Sequence, residues 1–549
     1  MLGVTSLDPS AGGESNRDTL VRRSLGVAGW TVVSRATGVG RLLLVAAVLG
    51  PTYFGNTFLA TNQIPTLTFQ LLIGSLLSSL LVPPLVRAID TSDRRDVERL
   101  AGSLLGLAMV VFAVSSLLLL LSGPILLHFL SAGVEEPAVA AAQRRAGWIL
   151  LLATAPQVVL YGVASVGEAA LFARGRFGLA AAAPSLENIG LIVTLIANAV
   201  IFGTDVGIEE VETPQLLLLG LGSTAAVALH ASVKWWGAGR AGIRLFPNAD
   251  WKRLEVREVM RRAVPTMGYA VLTTALQFAI VVVSNGVAGG VVAFQVGLQL
   301  MYFPVAITAR SVSVAMLPVL SRLAALREFQ AFRDQLARGV SLSFFIAVPA
   351  AVLYLGMAGP IASAVAFGEM ATPGGVVLLA VSIASLSGGV LGEAAFVMST
   401  LASYAHDDAR SPFRAMAVRA TVTVAGAIVA LTVAEGAALL LVLGVAISAG
   451  NLLSAMHLAG RLRAWLPKLG EPVVAPVLRA LGAAFLMIVP ARLFAMLVSA
   501  VIDGRSRHVA AAGAGALVGS ALYCAVHLIS RSPELRLWRS SLRSPQNLL

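Results

Sequence analysis

The chain has 549 residues, 57% of them hydrophobic and only 12% charged, with a formal net charge of +12. Soluble domains carry roughly twice that share of charge, so a soluble globular protein is excluded, and the positive balance reads as loop charge between membrane spans rather than as a nucleic-acid surface. The single cysteine, Cys524, excludes an intrachain disulfide framework and a cysteine-rich metal site.

Residues 1–24 are polar and mixed in charge, without a short apolar core and cleavage site, and are expected to form a cytoplasmic tail rather than a signal peptide. The first apolar segment, residues 25–49, holds the stretch GWTVVSRATGVGRLLLVAAVLG. It carries Arg35 and Arg41 at membrane depth, where a guanidinium costs about 2.5–3.5 kcal/mol on insertion scales. Six positions on a helix leave the two side chains about 120° apart in projection and about 9 Å apart along the axis. Two readings stand. Both arginines face a cavity and hold an anion, for which the planar, permanently charged fork suits a diphosphate; or Arg41 is structural and Arg35 snorkels to the interface. GVGR lacks the full phosphate-loop pattern and follows no strand, so it is not a nucleotide site.

Further apolar segments follow at 57–86, 101–122, 146–172, 180–203, 215–237, 263–285, 291–320, 338–358, 376–402, 413–434, 437–460, 474–501 and 508–530, with Gly123–Leu130 as a short extension of the third. That makes about fourteen spans. Asn56, Gln63 and Gln70 on the second, with Gln295 and Gln299 on the eighth, read either as hydrogen-bonding groups for sugar hydroxyls or as interhelical contacts worth about 0.6 kcal/mol each. Three acids lie in spans, Glu168, Glu187 and Glu393. They read as partners for Arg310, at mid-span in the eighth segment, or as an ion or proton relay; structural pairing is the expected role. Arg310 is alternatively a further anion ligand. Gly38, Gly40, Pro65 and Pro304 are expected to serve close packing and kinks. Asp407 and Asp408, in a short turn, read as a helix cap rather than a metal site. The six histidines show no nucleophile–base constellation, so neither an enzyme nor a cofactor or metal is expected.

Loop charge supports the span count. Starting from the tail that carries Arg22 and Arg23, alternate loops are rich in arginine: Arg87 to Arg99, Arg174 and Arg176, Lys234 to Arg262, Arg322 to Arg338, Arg410 and Arg414, Arg461 to Lys468, then Arg531 to Arg543. The intervening loops are poor in Lys and Arg, and one holds Asp205, Glu209, Glu210 and Glu212; Arg144, Arg145, Arg505 and Arg507 are exceptions. The alternation predicts both termini in the cytoplasm. VPPLVRA near Pro83 echoes LPVLSRL near Pro318, and LFARGRF echoes SYAHDDARSPF, suggesting a repeated six-span unit with a substrate site between the halves.

The motifs SRATGVGR (Ser34–Arg41), NTFLATNQIP with LVPPL, GRFGLAAAAPSLENI, YFPVAITARSVSVAMLPVLS and YAHDDARSPF, in that order, resemble those of the MurJ/MviN group of lipid flippases, in the multidrug/oligosaccharidyl-lipid/polysaccharide exporter superfamily. The resemblance covers nearly all of the hydrophobic chain. It implies an all-α polytopic membrane protein of about fourteen transmembrane helices, in two pseudo-symmetric six-helix lobes plus two C-terminal helices. The divisions expected are a tail at 1–24, lobes at 25–240 and 263–463 joined by a linker at 241–262, two helices within 464–530 and a tail at 531–549. It further implies alternating-access transport of a polyprenyl-diphosphate-linked saccharide such as lipid II across the bacterial cytoplasmic membrane. Arg35 and Arg41 stand at the family's diphosphate-binding positions; Arg310, a charge the family motif does not supply, and Asn56, Gln63 and Gln299 are the further substrate contacts expected from the residues themselves. The chain departs from the family pattern where charges are replaced by Asn56, Gln63, Phe69, Gln70, Gly74, Leu298 and Gln299. Those losses leave two alternatives in view: a scaffold that recruits cell-wall synthesis proteins, and a multidrug exporter of the same superfamily.

Overall fold

The computed structural model describes residues 11–72, 77–204, 206–263, 267–466, 471–533 and 535, with side chains left undescribed at 11–28, 77–79, 262–263, 267, 314 and 471–472. The expectations for Gly74, Asp205, Lys468, Arg536, Arg539 and Arg543 lie outside the described residues, as do the side chains of Arg22, Arg23 and Arg262.

Among the described residues the chain is helical, with no strand. The first group comprises α1 (Ala11–Leu49), α2 (Tyr53–Leu72), α3 (Leu77–Thr91), α4 (Arg94–Leu130), α5 (Pro137–Thr154), α6 (Gln157–Ala173), α7 (Phe177–Phe202) and α8 (Thr213–Arg240). A short amphipathic α9 (Leu254–Ala263) leads to α10 (Met267–Ser284), α11 (Gly290–Val305), α12 (Ser311–Ala325), α13 (Phe329–Gly356), α14 (Ala358–Val365), α15 (Pro373–Ala405), α16 (Arg410–Val433) and α17 (Gly436–Arg463). The last pair is α18 (Glu471–Val501) and α19 (Ser506–Ile529). Among the described residues, twelve helical segments are long and apolar enough to cross a membrane. Of the other two spans read from sequence, 57–86 falls on α2 and α3, and 263–285 falls on α10, whose apolar stretch Gly268–Ser284 is shorter. The third span continues through Gly123–Leu130 as one helix.

Local chemistry sets the helix ends. Gly50 takes the left-handed φ of +64° after α1, and Pro51 prevents continuation. Asp93 caps α4 by accepting the Asp96 N–H, and Thr372 caps α15 by accepting that of Gly375, with Pro373 in the first turn. Asp408 caps α16, accepting the N–H groups of Arg410 and Ser411. Partial burial opposes its charge, but those bonds and the Ser411 hydroxyl outweigh it and hold the carboxyl below its usual range. Hydroxyls inside the helices, such as Thr57, Thr61 and Ser284, donate to carbonyls four residues back and so carry no unmet polar group into the apolar interior.

α1 to α8 pack as one bundle, around Leu100, Leu105, Phe112, Leu151 and Ala170, with a second layer at Phe54, Phe58 and Leu195. α10 to α17 form the other around Phe294, Met301, Leu386 and Leu443. α15 and α17 approach through small residues: a Cβ at Gly444 would overlap the Ser385 hydroxyl, and Ser448 donates to the Ser385 carbonyl. α18 and α19 lean on α13, where Tyr523 donates to the Phe345 carbonyl.

The two bundles are sewn together at one end. Asn56 is fully buried; its amide donates to the Val287 carbonyl and accepts the Val291 N–H. Gln143 and Asn285 exchange amide hydrogen bonds, Asn285 also donates to the Leu130 carbonyl, and Thr204 donates to Glu369. Gly289, with φ +71°, caps α11 so close to Pro51 that a Cβ would overlap that backbone. Asn56 therefore acts here as an interbundle clasp, not as a cavity group: both ends of its amide are consumed by backbone.

Candidate functional site

α1 is held against α7 by Asn188, whose amide donates to the Ser34 carbonyl and to Thr37. The resulting phase of α1 turns both Arg35 and Arg41 into a cavity of about 1980 Å³, enclosed by α1, α2, α6, α7 and α8 and closed by α11 of the other bundle. The mouth carries Trp30, Arg174, Arg176, Phe177, Trp236 and Arg240, many of them exposed. It lies about 28 Å along α1 from the sewn end. Gln63 on α2 accepts a hydrogen bond from Gln295 on α11, a contact between the bundles, and lines the cavity with Asn62, Gln70 and Gln299.

The charges divide sharply by partnership. Glu168 lines the cavity but is bound by Lys234 of α8, itself buried. Glu187 accepts the Tyr161 hydroxyl at 3.0 Å and lies 2.7 Å from His230 Nδ1. Arg35 is exposed, Arg41 is half-buried, and neither guanidinium makes a hydrogen bond or ion pair with a described residue. Five arginines thus line the cavity, and its two glutamates are each partnered. Such a surface is built for an anion. No group of His, Cys, Asp or Glu among the described residues is arranged to hold a metal.

Of the residues read from sequence, Arg35, Arg41, Gln63, Gln299, Glu168 and Glu187 come together here. Arg310 and Glu393 do not. Pro304 is followed by a turn of π-helix, Ala306–Arg310, which places Arg310 against Glu393 of α15 at 3.6 Å. Glu393 is buried, and Arg419 of α16 reaches it at 2.9 Å while its guanidinium lies over the Phe396 ring, 4.0 Å from the centroid. The Arg419 approach is an ion pair without hydrogen-bond alignment. The expected pairing of Arg310 with an intramembrane acid is thus met by Glu393, and the structure ties Arg310 to a charge cluster inside the second bundle rather than to the cavity.

Sequence reading did not single out Lys234, His230, Tyr161, Arg419, Asn62 or Asn188 as site residues. Spacing along the chain gives no signal for them: Asn62 only lines the cavity, and each of the others acts across a helix–helix contact. Phe69, at a position where the family carries charge, packs between the Phe112 and Tyr161 rings and fills space beside the cavity.

A family model described as lipid II flippase MurJ matches residues 45–509. The chain is 26% identical over 337 residues to a probable lipid II flippase MurJ of Synechocystis, covering 60% of this chain and 61% of that protein. It is 24% identical over 412 residues to one of Rhizobium tropici, covering 74% of each. The alignment with the Synechocystis relative therefore spans under two thirds of that protein. Among solved structures, a lipid II flippase MurJ in an inward closed conformation superposes with a TM-score of 0.71 at 15% identity, covering 92% of this chain and 98% of that one. An inward-facing multidrug resistance MATE transporter superposes with a TM-score of 0.62 at 14% identity, covering 80% and 99%. At these identities the superpositions speak to the fold.

Proposed function

The chain belongs to the MurJ family of lipid II flippases, membrane transporters rather than enzymes, and from that premise we propose that it moves a polyprenyl-diphosphate-linked saccharide, lipid II or a related envelope precursor, across the bacterial cytoplasmic membrane. One observation carries the reading: Arg35 and Arg41 face a cavity of about 1980 Å³ without a partner among the described residues, while both glutamates described as lining it are already engaged. A guanidinium held at membrane depth without a counter-charge is costly. A diphosphate supplies that charge, with oxygens that match the guanidinium fork. Gln63, Gln299 and the neighbouring amides offer donors and acceptors to sugar hydroxyls.

The mouth carries Arg174, Arg176 and Arg240, in segments the loop-charge rule puts in the cytoplasm together with both termini. The clasp formed by Asn56, Asn285, Gly289 and Glu369 then closes the outer side. In this reading residues 25–240 and 263–463 are the two lobes, 241–262 is the linker, 464–530 supplies two helices that brace the second lobe, and transport proceeds by parting the clasp as the mouth shuts. Arg310 and Asn56 leave the list of substrate contacts; Glu393 serves the second lobe's charge cluster.

The test is depletion. Loss of the protein is expected to accumulate a lipid-linked diphosphate precursor on the inner leaflet of the membrane. Growth arrest with no precursor accumulating would favour the scaffold reading.

A further inference from the structure

The best-buried ionisable pair of the cavity wall is one the binding reading leaves unused. Glu187 is the only ionisable residue of α7. Its carboxylate is met from α6 by the Tyr161 hydroxyl, which itself lies 3.4 Å from Thr66 of α2, and from α8 by His230 Nδ1. From α1, Arg41 lines the same cavity as Glu187 and Tyr161. The remaining charges on these elements are accounted for: Glu168 of α6 is bound to Lys234 of α8, and Arg35 and Arg240 stand toward the mouth. The His230 side chain is 8% exposed and that of Glu187 17%. His230 Nε2 is buried with no hydrogen-bond partner among the described residues.

Among the described residues, Arg41 is thus a cation of this cavity with no hydrogen bond or ion pair, and it shares the cavity with a buried carboxylate that is paired to an imidazole. A diphosphate drawn to Arg41 sets further negative charge in the cavity beside the pair, which favours a proton on the pair. We propose that Glu187 and His230 are the proton-binding element of the anion site, so that each diphosphate bound through Arg41 is accompanied by uptake of one proton from the aqueous mouth. The inference rests on the anion-binding reading above. By linkage the converse holds: a falling pH tightens the anion, by about tenfold per pH unit across the window where the pair titrates. Glu187 and His230 are positioning residues here, acting on the ligand through the charge around Arg41.

The experiment is calorimetric titration of the purified full-length protein in nanodiscs. The probe is a short-chain prenyl diphosphate N-acetylglucosamine, whose phosphates are diesters and do not titrate near neutrality. Titrations in two buffers of different ionisation enthalpy count protons. The wild type is expected to take up close to one proton per probe and to bind more tightly at lower pH. Glu187→Gln and, separately, His230→Gln are expected to bind the probe with no proton uptake and a flat pH profile. Wild-type binding with no proton uptake, or uptake that survives in both variants, overturns the proposal while leaving the anion site standing. Absence of any binding by wild type overturns both.

Discussion

Arg41→Ala is expected to abolish the protein's ability to support growth in a depleted strain while leaving its expression and membrane insertion intact. The guanidinium makes no contact that the fold needs: no described residue bonds to it, and α1 is held instead by Asn188 through the Ser34 carbonyl and Thr37. What is lost is a charged contact to the ligand, worth about 1.5–3 kcal/mol, which is roughly 10–150-fold in affinity. Arg35→Ala is expected to act in the same way, and less strongly because Arg35 is the more exposed of the two. Arg41→Lys keeps the charge but not the fork, so partial function is expected. Complementation and binding of a short-chain prenyl diphosphate sugar check these outcomes together; normal growth and wild-type affinity in Arg41→Ala would remove the diphosphate role.

The second large effect is on stability. Arg419→Ala leaves Glu393 buried with Arg310 alone, at 3.6 Å and on a half-exposed side chain. Removing one partner of a buried ion pair costs about 3–5 kcal/mol, because the remaining charge keeps its desolvation penalty. The packing of the guanidinium over Phe396 goes with it. A fall in the apparent thermal midpoint of several degrees is therefore expected in detergent. The double variant Arg419→Met with Glu393→Gln removes the stranded charge and is expected to recover much of the loss. A wild-type midpoint in Arg419→Ala would show that the cluster is not structural.

Membership of the family and the all-helical fold were legible in the sequence, and the charges inside apolar runs stood out, for a physical reason. A charge inside an apolar run is expensive, so Arg35, Arg41, Glu168, Glu187, Arg310 and Glu393 stand out against Ala, Val and Leu wherever they occur. What pairs with what was not legible. Lys234 reaches Glu168 and His230 reaches Glu187 across the α6–α8 and α7–α8 contacts, and Arg419 reaches Glu393 from α16 to α15; no spacing along the chain encodes such meetings. Lys234 was read as loop charge because it sits near the end of a span, yet it is buried. Asn56 shows the opposite limit. Its residue type and helix suggested a cavity group, but one helix face meets the other bundle before the cavity begins, and backbone groups at Val287 and Val291 take its amide. The fourth span illustrates a smaller one: α5 and α6 are separate helices divided at Ala155 and Pro156, a break that a hydropathy window passes over.

Charge in the cavity, not the fold alone, is expected to move the ligand. The most direct measurement is reconstitution of the purified protein into liposomes carrying a fluorescent polyprenyl-diphosphate sugar, with an impermeant quencher reporting the leaflet. The wild type is expected to bring the inner-leaflet probe within reach of the quencher, and the Arg35→Ala, Arg41→Ala double variant to leave it protected at the rate of empty liposomes. Equal rates for the wild type and the double variant would contradict the claim that these two arginines carry the diphosphate across.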